Sequence, residues 1–261
     1  MKFAKYWAKS SFHGFTCWRS SDASLPAAEA LAQEAVRALV ARFESQGPPL
    51  NRYGYTDRPL REQVLREIRD PAGGLAAAIT RNSYGCQVLN TSRVMFVDVD
   101  LPEGSAGSSR EADVVARSGA WAQAHPGWGW RVYRTRAGVR LLATHALFDP
   151  DGEAAGQVFE ALGADPLYQR LCGVQQCFRA RLTPKPWRCG CRKPPRGWPW
   201  PDARAEARFK EWLDRYGQAC RAFATCELIA EQGARETEPT ARLIVQAHDE
   251  AVLAAGGLPL A

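Results

Sequence analysis

A chain of 261 residues can bury a core without disulfides or structural metals, and a composition of 46% hydrophobic and 24% charged residues excludes wholesale disorder. No uninterrupted apolar run approaches the length of a bilayer span, so no membrane partner is expected. The 34 Lys and Arg against 28 Asp and Glu leave a net charge of +6, a mild preference for anionic partners whose meaning depends on where the charge sits.

The aromatics of residues 1–20 are interrupted by Lys5, Lys9, Ser10, Ser11 and His13, leaving no secretory h-region, and the expected location is the cytoplasm. The 8 unevenly spaced cysteines point to reduced thiols rather than a disulfide framework. Residues 26–45 predict an amphipathic helix with Leu31, Ala35, Ala38, Leu39 and Phe43 on one stripe and Ser24 as its cap. Beyond the Gly-Pro-Pro at 47–49, the run from Asp57 to Asp70 predicts a second helix buried through Leu60, Val64, Leu65 and Ile68.

From Leu75 to Asp100 the pattern changes to short β-branched and aromatic segments separated by Asn-Ser and Asn-Thr-Ser turns, which predict three strands. A helix at 108–124 follows, then a hairpin through residues 128–147 that turns at Arg136-Ala137-Gly138. Short helices at about 152–162 and 165–175 precede a strand at Cys177–Thr183, and the segments 202–232 and 238–255 are expected to be helical. The predicted architecture is α+β, mainly antiparallel sheet flanked by helices: a domain of residues 1–201 with a C-terminal helical appendage, 202–261, packed on it.

Strand alternation in Phe96-Val97-Asp98-Val99-Asp100 puts both carboxylates on one face, with α-carbons about 7 Å apart. Two like charges at the end of an apolar strand repel each other and resist desolvation, and a divalent cation relieves both costs. The tight turn that follows offers Thr135, Arg134, Arg136 and Arg140 to an anion such as phosphate. His145, at the end of that hairpin, is a further candidate metal or acid–base group.

The 36 residues from Pro166 to Pro201 hold eight basic side chains and no acidic one. Alternation throws Arg179 and Arg181 to one face, and Lys185, Arg188, Arg192 and Lys193 follow on a loop with Trp187 among them. Such a row can neutralise a triphosphate or a nucleic-acid backbone while the indole stacks on bases. Cys172, Cys177, Cys189 and Cys191 supply enough thiols within 20 residues for a zinc site, although Cys-x-Cys is tighter than usual spacing.

The succession of an hhDhD strand, a hairpin reading Thr135-x-x-Gly138-x-Arg140 and an Arg-rich strand ending in a Lys loop resembles the palm of the archaeo-eukaryotic primases and primase-polymerases, over residues 94–200. The resemblance implies an RRM-like palm, active or degenerate. Asp98 and Asp100 would hold Mg²⁺ or Mn²⁺, and Thr135, Arg179, Arg181 and Lys185 would meet the phosphates of a nucleoside triphosphate. Arg140 stands where that family usually carries His, and Asp149 and Asp165, both beside prolines, leave the third acid unassigned. The expected function is a metal-dependent nucleotidyltransferase, or a nucleotide-binding domain, acting on nucleic acid. The alternatives are a non-catalytic nucleic-acid-binding module and a phosphodiesterase or nuclease using the same acidic pair.

Overall fold

The computed structural model describes residues 1, 3–45, 60–102, 104–253 and 257–261. The chain forms two compact units, Lys2–Arg61 and Glu62–Ala261, with Met1 counted in the second. No helix among the described residues is long and apolar enough to cross a membrane.

The smaller unit is a hairpin, β1 (Tyr6–Phe12) and β2 (Phe15–Ser21), against helix α1 (Leu25–Glu44). His13 and Gly14 make the two-residue turn with φ of 47° and 81°, the left-handed pair that matches strand twist. Ser24 caps the helix as expected, accepting from the Ala27 amide. The buried stripe, however, is Ala28, Ala32, Val36 and Val40, while Leu31 and Phe43 are 45% and 70% exposed. Ala28 and Ala32 form a small core with Ala8 of β1, and small side chains of this kind let a helix approach the hairpin closely.

The larger unit holds two four-stranded antiparallel sheets. One, in the order β3-β4-β5-β9, is built from β3 (Gln63–Arg69), β4 (Leu75–Arg81), β5 (Gln87–Thr91) and β9 (Phe178–Arg181). The other, in the order β10-β7-β8-β6, contains β6 (Phe96–Asp100), β7 (Gly129–Thr135), β8 (Gly138–Ala143) and β10 (Cys226–Gly233). Helices α2 (Ser109–Ala124), α3 (Glu153–Leu162), α4 (Pro166–Gln175), α5 (Ala203–Cys220) and α6 (Pro239–Val252) flank them. The α+β architecture with mainly antiparallel sheet is therefore what the chain adopts.

One expected helix is a strand, and a second turns into one before its expected end. Of the expected apolar edge, Val64, Leu65 and Ile68 lie in the edge strand β3, paired with β4, and Leu60 precedes it; the stop at 47–49 and the opening at Asp57 lie outside the described residues. Helical spacing misleads here because register shifts at Val64/Arg66 and Ile68/Arg69 break the two-residue alternation, leaving Val64 and Leu65 both exposed. Likewise the helix expected over 202–232 ends at Cys220, and Cys226–Gly233 pairs with β7 through a register shift at Leu228/Ala230.

The main core, with Phe96, Trp130, Leu141, Phe159 and Phe178 among its members, runs through both sheets. Their edge strands β6 and β9 are stitched by Tyr168 of α4, whose Oη donates to the Phe96 carbonyl at 3.0 Å and accepts from the Arg179 amide at 3.3 Å. The Asp165 amide donates to the Asp98 carbonyl at 3.1 Å, so the start of α4 covers the open edge of β6.

Candidate functional site

Beside that seam lies a hollow of about 230 Å³, lined by Asp98, Asp100, Asp165, Thr135, Arg136, Arg140, Arg181, Lys185 and Arg188 among others. Residues from β6, the β7–β8 turn, the α4 N-terminus and the segment after β9 thus converge, although they are separated by up to 90 positions. Small pockets of this size fall below the roughly 300–1,000 Å³ of drug-sized ligands. A phosphate chain fits the chemistry of the lining better than an apolar group does.

The two strand acids have different surroundings. Asp98 faces Arg140 directly across the β6–β8 ladder, and Arg140 Nε donates to Asp98 Oδ1 at 2.8 Å. Arg140 Nη1 also donates to the Arg181 carbonyl at 3.0 Å, and its side chain is 3% exposed. Burial opposes the charge on Arg140, but Asp98 more than offsets this and holds the guanidinium protonated. Arg140, expected as a phosphate ligand, is therefore the internal partner of Asp98.

Asp100 is exposed at the mouth of the hollow. Partial desolvation raises its pKa, and the Asp98 and Asp165 charges add to the shift, while Lys185 and Arg181 oppose it. Asp165 is an acid that sequence reasoning set aside because it precedes a proline. Pro166 occupies the first turn of α4, which makes Asp165 the N-cap; its side chain accepts from the Leu167 amide. The Asp-Pro pair at a helix start was the signal that could have found it.

On the cationic side, Arg136 is exposed and donates to the Leu260 carbonyl at 3.3 Å. Desolvation lowers the pKa of Lys185, as do the neighbouring charges of Arg181 and Arg188. That crowding is what an incoming polyanion would relieve. Thr135 Oγ1 donates to the Gly138 carbonyl at 3.1 Å and so closes the turn. Arg134, on the same hairpin, is spent on Glu111 and Glu227, both at 2.7 Å.

Several expected members stand elsewhere. Arg179 shares a face with Arg181, yet its guanidinium pairs with Glu62 at 2.7 Å and lies outside the lining of the hollow. His145 sits at the far end of the β7–β8 hairpin, against Trp128 and Phe148, and burial lowers its pKa. The four-thiol zinc site does not form. Cys172 belongs to the main core, whereas Cys189 and Cys191 join Cys220 in a separate cluster around Phe209, Trp212 and Tyr216. Cys189 is pushed up to about 12 by burial and by those two neighbouring thiols. Trp187 is 47% exposed on a short 3-10 turn, Pro186–Arg188, and Arg192 and Lys193 are exposed beyond it.

No protein-family model, curated protein or solved structure matches this chain.

Among the described residues, no three acidic, His or Cys side chains are drawn together tightly enough to cage a metal ion alone. Mg²⁺ usually keeps several waters and takes one or two carboxylates together with substrate phosphates. An acidic pair that lines one hollow with Arg181 and Lys185 has a donor set compatible with that mode.

Proposed function

We propose that this chain is a metal-dependent nucleotidyltransferase of the primase-polymerase palm type, which takes a nucleoside triphosphate and acts on nucleic acid. The observation that carries the reading is the single hollow shared by Asp98, Asp100, Arg136, Arg181, Lys185 and Arg188. Asp98 and Asp100 would hold Mg²⁺ or Mn²⁺, which supplies charge stabilisation to the phosphates when bound. Arg181, Lys185 and Arg188 neutralise and orient the triphosphate, and the Thr135–Gly138 turn fixes where Arg136 meets it. Such chemistry needs positioning and electrostatics but no side-chain nucleophile. The eight free thiols support a reducing, cytoplasmic setting.

One observation favours a second reading, a binding module without turnover: Asp98 is already neutralised by Arg140 and so has less charge to offer a cation. Asp100→Asn separates the two, because Asp100 is exposed and its loss leaves the Asp98–Arg140 pair intact. Calorimetry with Mn²⁺ and a nucleoside triphosphate should show cation-dependent binding that Asp100→Asn removes, together with Mn²⁺-dependent nucleotide incorporation. Binding should strengthen as pH rises through a midpoint above the ordinary carboxylate value, because the ionised Asp100 is the ligand and its pKa is raised. Triphosphate binding that survives both chelation and Asp100→Asn would favour the module, and release of nucleotides from a polynucleotide would favour hydrolysis.

A further inference from the structure

Two exposed rings gather around lysines, one of which, Lys185, lines the acidic hollow. Tyr84, in the β4–β5 turn, is 41% exposed and Trp187 is 47% exposed; their ring centroids are 5.3 Å apart at 90°. Lys193 Nζ lies 5.4 Å from the Tyr84 ring and 5.6 Å from that of Trp187, and Lys185 Nζ lies 5.7 Å from the latter.

The turns that carry both rings are anchored on the same helix. The Tyr84 turn is an Asx turn in which Asn82 Oδ1 accepts from the Tyr84 and Cys86 amides at 3.0 and 3.1 Å. Gly85 packs so closely on Trp212 of α5 that an added Cβ would come within 2.3 Å of its ring. The Trp187 turn is closed by the Arg188 and Cys189 amides donating to the Lys185 and Pro186 carbonyls, and Tyr216 of α5 donates to the Pro184 carbonyl just before it. The two turns are thus preorganised, which lowers the entropy cost of binding.

Continuity with the hollow comes from the chain itself. Lys185 and Arg188, on either side of Pro186 and Trp187, both line the space that holds Asp98 and Asp100. That space is too small for a base as well as a phosphate chain, so planar groups must lie outside it.

We propose that Tyr84 and Trp187 form a stacking step for the bases of single-stranded nucleic acid, whose phosphates run along Lys193, Lys185 and Arg188 toward the acidic hollow. The inference rests on the nucleotidyltransferase reading and names its polymer partner. A duplex buries its base faces and cannot use two outward-facing rings, whereas an unpaired strand can. The lysine ammoniums that rest near the rings would turn to the phosphates when a base arrives.

Fluorescence anisotropy with a labelled oligothymidylate and with a duplex of equal length tests this on the full chain. The single strand should bind more tightly than the duplex, and Tyr84→Ala with Trp187→Ala should weaken it about tenfold or more without changing the salt slope. Phe at both positions should restore most of the affinity, and Lys193→Ala should reduce the slope by about one unit. No binding of the single strand, equal binding of the duplex, or full affinity in a folded double alanine variant would overturn the proposal. Calorimetry with Mn²⁺ and a nucleoside triphosphate keeps the two ideas apart. Intact triphosphate binding with no oligonucleotide binding removes the stacking step alone, whereas absent triphosphate binding removes the reading beneath it.

Discussion

Asp98 and Arg140 are directly opposed on neighbouring strands and share a hydrogen bond of 2.8 Å, with the arginine side chain 3% exposed and the aspartate 30%. Removing one member of a buried pair leaves an uncompensated charge. Arg140→Met and Asp98→Asn are each expected to lower stability by about 3 kcal/mol in urea denaturation. The double variant should lose less than the sum of the two, because neither charge is then left alone. Additive losses would show that the pair contributes no coupling.

The two arginines of β9 should separate cleanly. Arg181→Ala is expected to weaken triphosphate binding by about 1.5–3 kcal/mol, the worth of a charge-assisted hydrogen bond, with little effect on melting. Arg179→Ala leaves Glu62, itself 10% exposed, with the Thr80 hydroxyl but without its cationic partner, and should cost about 3 kcal/mol of stability while binding stays unchanged. Calorimetry and thermal melting on both variants check the pair. A binding defect in a stable Arg179→Ala protein would return that residue to the site.

Gly138 opens β8 with φ of +155°, and a Cβ there would stand 2.0 Å from the Val99 carbonyl oxygen. Because the obstacle is backbone, no rotamer change relieves it. Gly138→Ala should cost about 3 kcal/mol and pull the Arg136 turn away from Asp100. Melting temperature and triphosphate affinity should fall together; an unperturbed variant would mean that β6 and the turn can part without consequence.

His248 on α6 is fully buried with Nδ1 3.0 Å from Asp249 Oδ1, and it faces Tyr133 of β7, Arg140 of β8 and Asp98 of β6. Burial lowers its pKa from an ordinary 6.5 to about 4, with Arg140 adding to the shift and Asp249 opposing it. The unfolded chain therefore binds a proton that the folded chain refuses between these values. Its contribution is fully present above pH 6.5 and is lost as the pH falls toward 4, by about 3 kcal/mol. Denaturation midpoints measured across this window should drop in the native chain and drop less in His248→Gln. Parallel profiles would assign the acid sensitivity to other groups.

The strongest features were legible because their periodicity is unbroken. Alternation in Phe96–Asp100 placed both acids on one face, and the Thr135–Gly138 turn was set by its glycine. The missed strands β3 and β10 both contain register shifts, so their apolar residues fall at spacings that mimic a helix. Arg179 shows a different limit. Alternation gives the face of a side chain but not its partner, and Glu62 lies 117 positions away. The pairing that removed Arg140 from the phosphate set was likewise invisible, since it needs the registry of β8 against β6.

Tyr168 ties the rims of both sheets through one phenolic oxygen, and the polar cleft opens beside that tie. Carboxylates come from one sheet and its flanking helix, while Arg181 and the lysine that follows come from the other. Any hinge-like flexing between the sheets would alter acid-to-base spacing, so the width of the cleft and the inter-sheet angle form a single mechanical coordinate. An occupant bridging both banks would act as a clasp, stiffening the larger unit as a whole rather than one loop.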